Sequence, residues 1–174
     1  ITLDNMKIII LGPTGAGKGT QAKFISKLLK IKHIDLGENF RKMAKRNRYI
    51  NEVINKGKLI PDSIVLKIVG KLTKNKKNFI LDGFPRKLSQ AKSFKNKIDL
   101  VLFLKISKNE VVKRLKIRKR EDDDLKNINE RYKIYLKQTI PVVNYYKRKG
   151  ILVAINGNPS IKKVNSEIKE VLKD

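Results

Sequence analysis

Lys7-Ile8-Ile9-Ile10-Leu11, followed by Gly12-Pro13-Thr14-Gly15-Ala16-Gly17-Lys18-Gly19-Thr20, is the stretch on which the reading of this 174-residue chain turns. Ile8 to Leu11 is a continuous apolar run, mostly β-branched, of the kind found in a strand covered on both faces. Gly12 breaks the run, and after Thr20 the residues Ala22, Ile25, Leu28 and Leu29 recur at helical spacing. Between strand and helix the turn reads G-x-x-x-x-G-K, the spacing of a phosphate-binding loop. Its chemistry lies in the backbone. Glycines let consecutive amide N–H groups turn inward, the helix N-terminus adds a favourable dipole, and Lys18 brings a compact positive charge. One position departs from the usual form: the hydroxyl residue expected directly after the lysine is Gly19, with Thr20 one step later, so a Mg²⁺ ligand is missing from its usual place. Taken alone, such a loop implies binding of a nucleoside triphosphate and no particular activity.

Outward from the loop, Phe79 to Leu81, Leu100 to Leu104 and Ile151 to Ile155 repeat the buried-strand pattern, and Ile31 to Ile34 is a shorter, lysine-interrupted candidate. Helical patterns separate them at residues 38–46, 49–55, 61–72, 88–95, 108–116, 125–147 and 160–172. In the longest, Leu125, Ile128, Tyr132, Tyr135, Leu136, Ile140 and Val143 form one expected apolar stripe, and Pro141 is expected to kink it. Alternating strands and helices with short connections imply an α/β fold, a parallel sheet with helices on both faces. No linker divides the chain, so residues 6–174 read as a single domain. Met6 is the first Met in the sequence, and residues 1–5 are expected to be a cloning remnant and are left out of the fold reading.

Composition narrows the function classes. There is no Cys, which excludes disulfides and thiolate zinc sites and favours a reducing, cytoplasmic address. No apolar run approaches the roughly 18 residues of a membrane span, and no secretory leader is visible, so a soluble protein without a membrane partner is expected. The formal net charge of +26 invites a polyanionic partner. Yet 33 of the 42 basic residues are Lys, spread through every segment, and a solvated basic surface is preferred over nucleic-acid binding.

Three further segments sharpen the reading: HIDLGENFR at His33 to Arg41, FILDGFPR at Phe79 to Arg86, and RKREDD at Arg118 to Asp123. Together with GPTGAGKGTQ at Gly12 to Gln21 they resemble, in order and spacing, the signatures of the adenylate kinase family of nucleoside monophosphate kinases. The resemblance runs from Lys7 to about Val171. It implies a P-loop kinase core with a five-stranded parallel sheet, built from residues 6–34, 62–117 and 124–174. It also implies a helical acceptor-binding insert at 35–61 and a short lid at 118–123. The lid is too short to be the zinc-binding one of some relatives, in agreement with the missing Cys, so no zinc is expected. The implied activity is reversible phosphoryl transfer from MgATP to AMP giving two ADP, in a monomer.

By the same resemblance, Gly12, Thr14, Gly15, Ala16, Gly17, Lys18, Gly19, Thr20, Arg114, Arg118 and Asn158 would bind ATP. Leu36, Gly37, Arg41, Leu59, Ile60, Gly83, Arg86 and Gln90 would bind AMP. Lys18, Arg86, Arg118, Arg120 and Arg131 would act on the phosphates in the reaction, Arg114 would lie against the donor adenine, and Asp82 would organise Mg²⁺ through bound water. Transfer between two polyanions needs charge neutralisation and alignment, for which the planar, bidentate guanidinium is suited. Only nine arginines occur, and six of them (Arg41, Arg86, Arg114, Arg118, Arg120 and Arg131) fall at these positions in a chain that otherwise uses Lys. Asp122 and Asp123 would pair with lid arginines or cap the helix ahead of Leu125.

Gln90 follows Arg86 by four residues, as in the adenine-reading form, whereas Leu36 replaces the usual Thr and removes one polar contact to the acceptor base. Glu38 after Gly37 resembles the pyrimidine-acceptor relatives, so a UMP/CMP kinase is the nearest alternative. An ATP-dependent RNA-binding assembly factor, suggested by the charge, is the alternative of another class. His33, the single histidine, and the pair Tyr145 and Tyr146 read as structural residues.

Overall fold

The computed structural model describes residues 5–118 and 124–173. Its strands β1 (Lys7–Leu11), β2 (Lys32–Asp35), β3 (Phe79–Asp82), β4 (Leu100–Lys105) and β5 (Leu152–Asn156) form one parallel sheet in the order β2-β3-β1-β4-β5. Helices α1 (Lys18–Leu29), α2 (Leu36–Ala44), α3 (Arg48–Asn55), α4 (Asp62–Thr73), α5 (Leu88–Ser93), α6 (Lys108–Arg118), α7 (Leu125–Ile134), α8 (Ile140–Arg148) and α9 (Ile161–Val171) supply the connections.

Successive strand residues point to opposite faces, and here each face has its own apolar core. Ile8, Ile10, Ile80, Leu102 and Leu104 pack with Ala22 and Ile25 of α1, Val111 and Leu115 of α6, and Val164 and Ile168 of α9. Ile9, Leu11, Phe79, Leu81 and Val101 pack on the other side with Phe40 of α2, Val65 and Val69 of α4, and Val142 and Tyr146 of α8. Two covered faces explain why the strands read as unbroken apolar runs. Each such side chain contributes roughly 1.5–3 kcal/mol relative to exposure, which makes the sheet a stiff base for the loops at its edge.

The short, doubtful strand is present, ending one residue later than its apolar pattern, at Asp35. There the Asp35 carboxylate accepts the Glu38 backbone N–H at 2.8 Å, which starts α2 at Leu36 rather than at Glu38. Helix α5 stops at Ser93 because Phe94 adopts an extended backbone and meets Phe84 edge-on, ring centroids 5.0 Å apart. Leu28, expected on the buried stripe of α1, is 43 % exposed.

The long C-terminal helix needs the largest correction. A π-helical turn, Tyr135–Thr139, separates α7 from α8, so the residue advance per turn changes and a uniform 3.6-residue stripe fails. Ile128 and Val143 are buried as expected, while Leu125 and Leu136 are exposed and Thr139, Val142 and Tyr146 turn inward instead. Pro141 falls in the first turn of α8, where its missing N–H is tolerated, so it opens that helix rather than interrupting one.

Candidate active site

β1 lies between β3 and β4, and the chain leaves it toward β2 and β3 first, then crosses to β4 and β5. A doubly wound sheet opens a crevice at such a switch, beyond the carboxyl ends of its strands. The glycine loop stands there. Gly17, at φ 89°, opens α1 with no side-chain cap, so the first helical N–H groups are left for an anion. The Lys18 ammonium curls back to donate to the Pro13 carbonyl at 2.8 Å. Burial pushes its pKa down to about 8; Arg86 and Arg118 act in the same direction, and Asp82 and Asp35 oppose them. Positive charge is thus crowded into a partly dry site, the arrangement a polyphosphate relieves.

Arg86 is fixed by three bonds. Its Nε donates to the Gly83 carbonyl at 3.1 Å, its backbone N–H donates to Gln90 Oε1 at 2.9 Å, and its carbonyl accepts from Thr139 Oγ1 at 3.1 Å. Its terminal guanidinium nitrogens remain for the cleft, and burial lowers its pKa. Arg41 lies over Gly37, where an added Cβ would come within 3.0 Å of Nη1, so the glycine makes room for the guanidinium. On the opposite side, Arg114 is braced by Glu110 Oε1 at 2.8 Å and by the Asn158 carbonyl at 3.0 Å.

These groups face one open cleft of about 670 Å³, in the upper part of the roughly 300–1,000 Å³ range of small-molecule pockets. Thr14, Gly15, Gly17, Lys18, Gly19 and Thr20 line it from the loop, with Arg114, Arg118 and Arg131 beyond them. Leu36, Gly37, Arg41, Leu59, Ile60, Gly83, Arg86 and Gln90 line it from the α2–α3 side, and Asp82 lies between. Gly12 borders a recess at its base beside Arg86, Arg131 and the π turn. Two expected residues take other places. The Ala16 methyl is buried in the core, and Asn158 accepts the Ser107 N–H and holds Arg114. Arg120, Asp122 and Asp123 lie outside the described residues.

The sequence profile of the adenylate kinase family matches residues 10–151. An adenylate kinase of Prochlorococcus marinus is 40 % identical over 178 aligned residues, covering 95 % of this chain and 98 % of its own length. Adenylate kinases of Encephalitozoon cuniculi and Buchnera aphidicola subsp. Cinara cedri are each 38 % identical, covering 94 % of this chain and 96 % and 95 % of their own lengths. The chain belongs to the adenylate kinase family.

Kinases of this family act with a divalent cation on the donor phosphates, and the residues here suit one. His33 Nε2 and carboxylate oxygens of Asp35 and Asp82 lie within 4.8 Å of one another at the carboxyl ends of adjacent strands, where Asp35 and Asp82 are register partners. His33 Nε2 is buried without a hydrogen-bond partner, 3.9 Å from Asp82 Oδ2. Two carboxylates are the hard oxygen donors that suit magnesium and its water shell. Gly19 leaves that space open, since a Cβ there would sit 3.4 Å from Asp82 Oδ2.

Sequence reasoning missed Asp35, Asp62 and Thr139. Asp35 had a signal, an acid ending the strand beside the one that ends in Asp82. Asp62 and Thr139 had none, because they act on Gln90 and Arg86 from 28 and 53 positions away.

Proposed function

We propose that this member of the adenylate kinase family transfers the terminal phosphoryl group of MgATP to AMP, reversibly, giving two ADP. The observation that carries the reading is a single cleft with an amide-lined loop on one side and an arginine-bearing helical pair on the other. Lys18 and the triply held Arg86 stand between them. Two phosphate chains entering from opposite sides would meet there end to end. In that encounter Lys18 exchanges the Pro13 carbonyl for donor phosphate oxygens, Arg41 and Arg86 hold the acceptor phosphate, and Arg118 and Arg131 neutralise charge on the group in transit. Bound magnesium would supply further charge neutralisation on the donor phosphates, held through its water shell by Asp82 and Asp35.

Residues 35–61 and 118–123 are assigned as the acceptor-binding insert and the lid, whose closure would exclude water from a hydrolysable phosphate. The names of the relatives favour AMP over a pyrimidine acceptor. Leu36 favours some relaxation of base choice, because it is 1 % exposed and packed into the core where a polar contact would otherwise stand. Among the described residues no helix is long and apolar enough to cross a membrane, and a cytoplasmic monomer is the simplest setting.

A coupled assay of ADP formation from MgATP with AMP, GMP, CMP and UMP tests the reading. AMP is expected to give the highest kcat/KM. Lys18→Met and Arg86→Ala are each expected to lower kcat on the order of 10²–10³-fold with an unchanged circular dichroism spectrum. Turnover close to wild type in either variant, or a pyrimidine acceptor used best, contradicts it.

A further inference from the structure

Gln90 is 2 % exposed, and its side-chain amide is gripped from two sides. Oε1 accepts the Arg86 backbone N–H, and Nε2 donates to Asp62 Oδ1, each at 2.9 Å. Asp62, in the first turn of α4, is itself held by Ser89 Oγ, 2.5 Å from Oδ2, and by Lys87 Nζ, 3.1 Å from Oδ1. Burial pushes the Asp62 carboxyl up, but the hydrogen bonds from Ser89, Gln90 and Lys87 outweigh it and hold it below the usual carboxylate range. Asp62 is therefore an anion, able only to accept. Turning the Gln90 amide over would set Oε1 against that carboxylate and the NH₂ group against the Arg86 N–H. Both favourable contacts would become repulsive, so the orientation is fixed from both ends.

A primary amide carries two N–H donors and two acceptor lone pairs. One of each is spent on Asp62 and Arg86, which leaves one N–H and one lone pair in a fixed order for the cleft that Gln90 lines. We propose that Asp62 is a specificity-determining positioning residue: by fixing which end of the Gln90 amide donates and which accepts, it makes the acceptor site take an adenine edge and reject a 6-oxopurine edge. Adenine offers an N6 donor beside an N1 acceptor. Hypoxanthine offers the reverse, an O6 acceptor beside an N1–H donor. A glutamine free to turn over would serve both, so the residue type at position 90 does not choose between them and its anchor does. The inference rests on the reading that Gln90 meets the acceptor base.

The experiment measures kcat/KM with AMP and with IMP for wild type, Asp62→Asn, Gln90→Leu and the double variant Lys87→Met/Ser89→Ala, with thermal melts as the folding control. Asparagine at 62 is nearly the same shape but can donate as well as accept, so it removes the Asp62 half of the lock and leaves the Arg86 N–H alone to hold the amide orientation. Asp62→Asn is expected to lower the AMP-to-IMP preference by about tenfold or more, with kcat/KM for IMP rising above wild type. The double variant, which loosens Asp62 without removing it, is expected to shift the ratio the same way by less. It decides the question if Asp62→Asn does not fold. Gln90→Leu is expected to lose the preference without any gain for IMP. Equal losses for both nucleotides in Asp62→Asn, with the preference abolished in Gln90→Leu, would make Asp62 a structural residue and overturn the proposal alone. A preference that survives in Gln90→Leu would overturn the base-reading role of Gln90 and the proposal with it.

Discussion

Lys18 carries the most testable single charge in the molecule. Its pKa in the folded, nucleotide-free protein is about 8, against 10.5 ordinarily. The unfolded chain therefore binds more protons than the folded one between these values, so the penalty that Lys18 imposes on stability is full below pH 8 and fades as pH rises through that window. Binding of ATP needs the ammonium, and kcat/KM for MgATP is expected to fall tenfold per pH unit above about 8. The kcat profile should stay flat to higher pH, because bound phosphate raises the pKa again. Lys18→Arg should remove the limb at whatever activity it retains, and a wild-type kcat/KM profile level up to pH 10 would contradict the assignment. Gly12 gives a second residue-level test. At φ +148° and with an added Cβ only 2.9 Å from the Leu104 carbonyl, Gly12→Ala meets backbone and not a movable side chain. Strained backbone costs roughly 1–3 kcal/mol before any displacement of β4, and urea denaturation should show a loss of at least that size. Such residues were legible in the sequence because their chemistry is local: a glycine loop needs its glycines in a row. Asp62 and Thr139 were not, because their value depends on which distant residue the fold sets beside them.

Among the elements, β1, β3 and most of β4 were readable because they are buried on both faces and so almost wholly apolar. β5 was readable from its apolar run although it is only partly buried, and β2 was weakest because Lys32 and His33 interrupt it at the sheet edge. The segment that resisted reading was 125–148, where the sequence carries a helical period throughout and the π turn resets it in the middle. That turn brings Thr139 under Arg86, with Oγ1 3.1 Å from the Arg86 carbonyl. Its place beside a catalytic candidate gives the irregularity a purpose, as π turns often have at functional sites. Thr139→Val keeps the shape and removes the donor. It is expected to cost on the order of 1 kcal/mol in stability, and to lower kcat with AMP by several-fold while leaving KM for MgATP near wild type, since the Arg86 loop loses one of its three ties. An unchanged kcat would mean that the bond serves stability alone.

At the scale of the whole molecule two electrostatic effects of opposite sign coexist, and ionic strength separates them. Sixteen carboxylates cannot neutralise 42 basic side chains, and the net charge of +26 on a chain of 174 residues opposes its own compaction. Raising ionic strength from about 0.01 M to about 0.15 M shortens the Debye length from about 30 Å to about 8 Å, which screens most of that repulsion across the surface. The nucleotide-free protein should therefore melt several degrees higher in the saltier buffer, each kcal/mol being worth about 2–4 °C for a domain of this size. Ligand binding should respond to salt according to how deeply the ligand's charges are buried. A bisubstrate mimic, two adenosines joined by five phosphates, is expected to raise the melting temperature at both salt concentrations, because its contacts with Lys18 and Arg86 are partly buried and weakly screened. Single-stranded RNA, held only by the solvated lysines, should protect at low salt and lose that protection near 0.15 M, as counterion release requires. Protection by RNA that survives the salt, with none from the mimic, would move the centre of function from the cleft to the surface and revive the nucleic-acid reading of the charge.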